Sequence, residues 1–192
     1  MPAKAEVVNH LLTRRSISPA FLGDPGPKPD ELETLLTIAT RVPDHGKLAP
    51  WRLVIFEGEA RAAAGGKLAA LVASRDPATT ADKLAEERKQ FMPAPLVIGV
   101  VSRAAPHPKI PEVEQFLSAG NVALNLVHGA HALGYAAQWI TRWFTYDAEA
   151  SKLLGAGEGE RFIGFVHIGT PTVAPQERDR PALANVVTRW TP

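Results

Sequence analysis

The sequence predicts an α+β or three-layer α/β domain, because four apolar strand-like runs occur in mixed order with about six helix-like segments. Two of these runs, 51–57 and 96–102, are apolar nearly throughout, which is typical of strands covered on both faces. A long helical segment, 112–134, is apolar almost all round and is expected in the core or in a subunit interface. The 192 residues suffice for one domain with a real core, to which we assign 1–192.

The composition removes several classes of function. The chain has no cysteine, which excludes disulfides, thiolate metal sites and thiol nucleophiles, and which fits a reducing cytoplasm. Its formal net charge of +1 gives no bulk electrostatic reason to bind nucleic acid or a membrane surface. The first residues hold no apolar stretch of signal-peptide type. We therefore expect a cytoplasmic globular protein with neither nucleic acid nor membrane among its partners.

The elements of the first quarter of the chain follow from spacing and from turn residues. Apolar residues recur on one face over 3–13, which predicts a first helix. A loop rich in glycine and proline covers 18–28, and Pro29 then opens a second helix that ends at Arg41. The buried stripe of this second helix is expected to consist of Leu32, Leu35, Leu36 and Ala39.

The remaining elements are predicted in the same way. An alanine-rich helix over 59–74 is followed by a charged helix over 82–91, which we interpret as a solvated surface element. A third strand is predicted over 135–143 and a fourth over 161–168. Between these two strands lies a short helix over 147–154, for which Asp147 is a suitable N-cap.

The tail of the chain, 172–192, is basic and ends in apolar residues. Its arginines are Arg178, Arg180 and Arg189, and Val186, Val187 and Trp190 lie near its end. We expect the apolar end to be anchored on another surface, such as that of a second subunit.

Two polar segments are candidates for ligand binding. Arg14, Arg15 and Ser16 follow the first helix, and guanidinium groups with a hydroxyl suit a phosphate. The alternative is that arginines near the end of a helix simply complement its dipole. The second segment runs from Arg41 to Trp51, where two prolines stiffen a loop that carries acidic, imidazole and amino groups. Its alternative is a proline-rich turn with solvated charges.

Other kinds of site find little support. His128 and His131 stand three residues apart on the long helix, but no third ligand has suitable spacing, so we expect core or interface histidines and no metal. Glycine-rich dinucleotide and triphosphate motifs are absent from the sequence. It also lacks a Gly-x-Ser-x-Gly elbow and a His-Glu-x-x-His helix.

The order of these segments resembles the FMN-dependent nitroreductase family, especially its small single-domain members. The resemblance rests on four features: Arg-Arg-Ser after the first helix, the Arg41 to Trp51 loop before a strand, Gly134-Tyr135 before a Trp-bearing strand, and Ile168-Gly-Thr-Pro171 before an arginine-bearing tail. It covers essentially the whole chain. It implies an α+β fold: a three-layer α/β/α sandwich with a central mixed or antiparallel sheet, a long core helix and a C-terminal arm over 172–192.

The resemblance also implies an activity. Such proteins are homodimeric oxidoreductases that hold FMN at the subunit interface and pass a hydride from NAD(P)H through FMN to nitroaromatic or quinone-type acceptors in a ping-pong cycle. The flavin N5 carries the hydride, so no side chain is expected to be catalytic. Three alternatives remain open: another reaction of reduced flavin, such as dehalogenation or flavin fragmentation; a non-catalytic FMN carrier; and a protein that binds some other phosphorylated ligand.

The residues that the resemblance assigns to FMN fall into three groups. Arg14 and Ser16 would hold the phosphate with Arg15 alongside, and Arg180 would add a second basic contact. The partner subunit would lay a loop along the flavin, with side chains from Arg41, Pro43, Asp44, His45 and Lys47. The ring would be flanked by Trp139, Ile140 and Thr141, with Gly169 and Thr170 close by. The loop departs from the common pattern at Asp44, His45, Lys47 and Ala49, and Ala136-Ala137 replaces a frequent Gly-Gly, so ring contacts are expected to differ.

Overall fold

The computed structural model describes residues 2–192, in which five strands and seven α-helices are present. In chain order they are α1 (Ala5–Thr13), β1 (Leu22–Gly23), α2 (Pro29–Ala39), β2 (Trp51–Glu57), α3 (Glu59–Arg75), α4 (Ala81–Arg88), β3 (Leu96–Ser102), α5 (Glu112–Ala132), β4 (Ala136–Ile140), α6 (Trp143–Tyr146), α7 (Ala148–Leu153) and β5 (Arg161–Pro171). Short 3₁₀ turns lie at Pro19–Phe21, His45–Lys47 and Leu183–Asn185.

The predicted elements are present, with two corrections. The predicted loop 18–28 contains the two-residue strand β1, which is too short to leave a pattern in the sequence. The predicted third strand, 135–143, ends early at Ile140, because the Thr145 hydroxyl accepts a hydrogen bond from the Arg142 amide and starts α6 instead. The predicted N-cap at Asp147 is confirmed, since its carboxylate accepts the amide of Ala150 at 2.9 Å.

The sheet is antiparallel at every described pairing. β3 lies between β2 and β5, and the far edge of β5 pairs with β4. The last residues of β5 pair with β1. β5 is therefore the strand that brings the start of the chain, the end of α5 and the start of the arm to one region of the molecule.

Side chains of β3 alternate between two cores, as expected for a strand covered on both faces. Leu96, Ile98 and Val100 face α2 and α5, whereas Val97 and Val101 face α3, α6 and α7. The predicted stripe of α2 packs into the first core. The fold is thus the predicted three-layer sandwich with helices on both sides of a central sheet.

The segment 82–91 exposes most of its charged residues to solvent, as predicted, but it also has a buried face that its charges did not predict. Phe91 is fully buried among aromatic rings, with centroids 4.8 Å from Phe56 and 5.6 Å from Phe144. Glu87 is only 1% exposed. Its burial is compensated because the Trp143 indole N–H donates to its carboxylate at 3.0 Å and the Lys83 ammonium lies 3.2 Å away.

Large apolar side chains are left exposed on one side of the molecule. α5 buries its small residues against the sheet and α2, but Val113, Leu117 and Leu124 face outward on its other side. α1 has no buried residue, and its Leu12 is 77% exposed. Trp190 at the end of the arm is 85% exposed, so the apolar end of the arm does not pack on its own subunit.

An ion pair fastens β2 to the turn before β5 and makes stability pH-dependent. Arg52 donates from Nε to Oε1 of Glu160 at 2.9 Å, and the Gly157 amide donates to Oε2 at 2.6 Å. The Arg52 hydrogen bonds, assisted by the Gly157 amide, lower the pKa of Glu160 to about 2 from an ordinary 4.5. The stabilisation is therefore fully present above pH 4.5 and is lost as the pH falls towards 2.

We expect Glu160→Gln to lower the melting temperature at pH 7 by roughly 3–8 °C, because a charge-assisted pair is lost. The difference from the wild-type protein should shrink steadily between pH 4.5 and pH 2, where wild-type Glu160 itself becomes protonated. Melting curves across this range check it, and a difference that stays constant at low pH would contradict the assignment.

Among residues 2–192, no helix combines the length and apolar composition that a bilayer crossing requires.

Candidate functional site

Two adjacent arginines at the C-terminal end of α1 lie near a third arginine from the arm. Arg14 and Arg15 follow α1 directly, and Arg180 comes from the arm. The Arg15 Nε donates to the carbonyl of Gln176 at 2.8 Å, which holds the arm at this point. The Arg14 guanidinium lies 3.4 Å from the Ser16 hydroxyl.

Positive charge is in excess in this arginine cluster (Arg14, Arg15 and Arg180). Glu177 lies 3.4 Å from Arg15, but within residues 2–192 neither Arg14 nor Arg180 forms an ion pair. Partial burial, followed by the charges of Arg15 and Arg180, lowers the pKa of Arg14. Three like charges held together with one counter-charge are what a dianion such as a phosphate would stabilise.

The loop from Arg41 to Trp51 is held on α5 by buried and half-buried polar side chains. The Ser118 hydroxyl donates to the carbonyl of Pro43 at 2.7 Å, and the Trp51 indole N–H donates to Ser118 at 3.2 Å. The Asn125 amide donates to the carbonyl of Arg41 at 3.1 Å. The loop is therefore a fixed structure rather than a mobile connector.

The backbone of this loop is strained near its centre. Lys47 and Ala49 have positive φ angles of 55° and 45°, which side chains other than glycine rarely adopt. The Asp44 carboxylate sustains this shape by accepting the amides of Leu48 at 3.1 Å and Ala49 at 2.8 Å. Strain of this kind persists only where the surroundings over-determine it, and it is concentrated at functional sites.

We expect Asp44→Ala to loosen the loop without unfolding the protein, because it leaves the amides of Leu48 and Ala49 without an acceptor. Protection of these two amides against hydrogen exchange should fall by about 5- to 100-fold, which corresponds to about 1–3 kcal/mol. Asp44→Asn, which keeps one acceptor oxygen, should lose less. Unchanged protection in the alanine variant would show that the strained conformation has another source.

The side chains at the tip of the loop face solvent. His45 Nδ1 lies 2.7 Å from the Glu114 carboxylate at the start of α5, and Lys47 is exposed. Arg41 is also exposed, but it begins the loop, and its carbonyl is bound by Asn125, three residues before His128. His128, beside the arginine cluster, follows Glu114 by 14 residues, which is about 21 Å along the helix axis. Within one subunit, the tip of this loop is therefore far from the arginine cluster.

The end of β4 presents the third predicted group. Trp139 is partly exposed, and its indole lies against the backbone of Gly164, where a Cβ atom would overlap it. Ile140 is half-buried and Thr141 is exposed. The glycine at 164 therefore permits the position of the Trp139 ring.

A cavity of about 780 Å³ lies between two of the predicted segments. One wall begins at Ser18, two residues after Ser16, and another is formed by Arg142, the residue that follows Thr141. Its full lining is Ser18, Pro19, Ala20, Lys83, Glu86, Lys89, Gln90, Met92, Pro93 and Arg142. A second cavity, of about 630 Å³, lies near Phe116 and Phe162. Neither cavity is lined by a residue of the predicted site set; the first is only adjacent to two of its segments.

Comparison with known families shows the family to which the chain belongs. Residues 11–170 match the sequence model of the Nitroreductase family. The chain belongs to the nitroreductase family. It is similar to YdjA of Escherichia coli K12, named as a candidate NAD(P)H nitroreductase, with 31% identity over 84% of this chain and 86% of that protein. A Haemophilus influenzae protein named in the same way is 35% identical over 83% and 86%. This nitroreductase-family chain is therefore an oxidoreductase.

Solved structures agree on the fold. A nitroreductase-like protein from Bacillus cereus superposes with a TM-score of 0.81 at 23% identity, over 99% of this chain and 98% of that one. The FMN and NADPH-dependent nitroreductase NfnB from Sphigopyxis sp. strain HMH superposes with a TM-score of 0.72 at 19% identity, over 96% and 98%. At these identities the likeness concerns the fold, which is the α+β fold that the sequence predicted.

Three of the predicted site residues, Asp44, Gly169 and Thr170, make contacts within their own chain. The Asp44 carboxylate is occupied by the loop's own amides, and Gly169 packs against Pro95 and Gly23. Thr170 donates to the carbonyl of Pro25 at 2.7 Å. Sequence reasoning missed the cavity and its cationic residues, Lys83, Lys89 and Arg142. Nothing in the local pattern of 82–91 could have connected that helix to the segments around Ser16 and Thr141.

Proposed function

We propose that the protein is an FMN-dependent oxidoreductase that oxidises NAD(P)H and reduces nitroaromatic or quinone-type acceptors in a ping-pong cycle. One observation carries this proposal: a charge-unbalanced arginine cluster lies at one end of the segment 14–20, and a cavity lies at the other. The names of the relatives support the nicotinamide donor. NfnB, named as FMN and NADPH-dependent, supports the flavin.

The residues present fit FMN. Arg14, Ser16 and Arg180 would hold the phosphate, with Arg15 fixing the arm beside them. A cavity of about 780 Å³ has room for a fused ring system, and its basic side chains favour added negative charge. When bound, FMN supplies a group that accepts a hydride from NAD(P)H and passes it on to the electron acceptor. The chain's own residues bind and orient, and none is proposed as a nucleophile.

We further propose a homodimer in which the flavin lies at the subunit interface. The exposed apolar faces of α1 and α5 and the exposed arm over 172–192 would bury one another between two copies. Because the loop tip and the arginine cluster lie about 21 Å apart along one α5, the loop that reaches a given cluster would come from the other copy. Its contacting residues would be Arg41, Pro43, His45 and Lys47, with Asp44 supporting the loop.

The absence of cysteine supports the cytoplasm as the compartment.

The remaining predicted residues have supporting roles in this proposal. Trp139, Ile140 and Thr141 would flank the ring from the end of β4. Gly169 and Thr170 hold β5 against β1 and so fix the start of the arm. We propose Gly169 and Thr170 as scaffold for the site rather than as direct ligands of FMN.

The test is an absorption spectrum of the gently purified protein in the visible range, before and after anaerobic NADPH and NADH. A yellow protein that bleaches and recovers its colour on adding a nitroaromatic or a quinone is the expected result. A yellow protein that neither nucleotide bleaches would indicate an FMN carrier. Bleaching without recovery on these acceptors would favour another reaction of reduced flavin, and a colourless protein that cannot be reconstituted would overturn the proposal.

A further inference from the structure

Three histidines meet between α1 and α5, next to the arginine cluster. His10 Nε2 and His128 Nδ1 are 3.0 Å apart, so one ring donates a hydrogen bond and the other accepts it. The ring centroids of His10 and His131 are 6.3 Å apart. Nε2 of His131 is buried and has no hydrogen-bond partner among residues 2–192.

His10, one member of the His10–His128 pair, lies one helical turn before Arg14 on α1. His10 precedes Arg14 by four residues, and the Arg14 amide donates to the His10 carbonyl at 2.9 Å, so the two side chains emerge on the same face of α1. Burial, then the charge of Arg14, then His10 itself, lowers the pKa of His128. The imidazoles therefore experience the same field that a bound phosphate would cancel.

The other charged groups around the pair are few. Glu6, four residues before His10 on α1, lines a shallow cavity with His10 and His128. α5 contributes His131 and the neutral Asn125, and α2 contributes the apolar Ile38. Arg15 and Arg180 lie beyond Arg14 in the arginine cluster. The surrounding field is thus dominated by arginines, and it weakens when two negative charges are added.

We propose that the His10–His128 pair takes up one proton from solvent when the phosphate of FMN binds to the arginine cluster. The inference rests on the proposed function, because FMN is the phosphate carrier. Two neutral imidazoles share one N–H in the hydrogen bond between Nε2 and Nδ1. An added proton gives an imidazolium that donates to a neutral imidazole, which is a stronger, charge-assisted bond.

The pair accommodates one extra proton and no more. A second proton would leave two N–H donors facing each other across 3.0 Å and would place two positive charges below Arg14. His131 does not join the reaction, because burial and then the charges of Arg14, His10 and His128 lower its pKa to about 4. The pair also connects α1, which has no buried residue, to α5, so the proton strengthens the contact that positions Arg14.

The first experiment uses the wild-type protein freed of flavin and reconstituted with FMN. Binding measured by fluorescence is expected to be about fivefold tighter at pH 6.5 than at pH 8.0. Calorimetry at pH 7.5 in two buffers of different ionisation enthalpy should show net proton uptake. Free FMN contributes the opposite sign, because its phosphate, with a pKa near 6, can only lose a proton on binding to arginines.

The variants assign the proton to the pair. His128→Asn, which cannot titrate, should bind FMN with little dependence on pH and without proton uptake. His131→Asn is the matched control on the same helix and should keep both effects. FMN binding that is independent of pH in the wild-type protein, without proton uptake, would overturn the coupling while leaving the proposed function intact. A wild-type protein that binds no FMN at any pH would overturn the proposed function and the coupling with it.

Discussion

Replacing Arg14 with alanine should raise the Kd for FMN by about 10- to 150-fold, or about 1.5–3 kcal/mol, which is the scale of a hydrogen bond to a charged group. The pKa of Arg14 is lowered first by partial burial and then by the charges of Arg15 and Arg180, so Arg14 stands where the fields of those two arginines overlap. A phosphate dianion placed there relieves that repulsion, and the relief is lost with the side chain.

Two comparisons make the Arg14 result specific to the phosphate. Arg88→Ala removes the same charge from the exposed face of α4, outside the cluster and the arm, and its Kd for FMN should match that of the wild-type protein. Riboflavin lacks the phosphate, so its weaker binding should hardly change in Arg14→Ala. Equilibrium titrations with both flavins measure these values. A Kd for FMN unchanged by Arg14→Ala would exclude this residue as a phosphate ligand.

The sequence predicts well where local chemistry decides the structure. β2 and β3 have the predicted bounds, because their apolar runs cannot be mistaken for loops. β3 is buried throughout, as predicted. The predicted cover on both faces is wrong for β2, which is an edge strand with mostly half-buried residues. Arg14, Arg15 and Ser16 could be chosen as candidates because they are adjacent in the chain. Asp147 could be recognised as an N-cap because capping depends on the next three residues only.

Other features depend on tertiary partners that no local pattern contains. Glu87 looks like a surface residue in the sequence, but Trp143, 56 residues later, donates to it in the interior. The positive φ angles of Lys47 and Ala49 exist because Asp44 holds two amides. His10 lies on α1, 118 residues before His128 in the sequence. The spacing of His128 and His131 along α5 therefore could not reveal it as the third histidine of the group. The cavity needs segments around Ser18, α4 and Arg142 together.

The second large effect is expected from Leu117→Asp, which should convert the proposed dimer to a monomer that binds FMN poorly. Leu117 is 61% exposed on the side of α5 that faces away from its own core. Val113 and Leu124 lie on the same side, one and two turns away, and are also exposed. A carboxylate buried in such an interface without a partner should weaken association by about 100-fold or more.

The monomeric variant separates folding from assembly. Because Leu117 makes no part of the buried core of its own subunit, the secondary structure by circular dichroism should be unchanged. FMN affinity should nevertheless fall, since the loop that bears His45 and Lys47 would no longer be supplied by a second copy. Leu153→Asp, at a partly exposed leucine of α7, is the matched control and should stay dimeric.

Sedimentation at micromolar concentration, with the bound flavin read by its absorbance, distinguishes the possible arrangements. A Leu117→Asp protein that remains a dimer would show that the outward face of α5 is not the interface. A wild-type monomer that binds FMN tightly would place the whole site within one chain, and the loop about 21 Å along α5 from the arginine cluster would then have no direct contact with the phosphate end. A monomer that has lost FMN supports a site assembled from both copies, because the arginine cluster and the cavity are unchanged by this substitution and only the partner's loop has been removed.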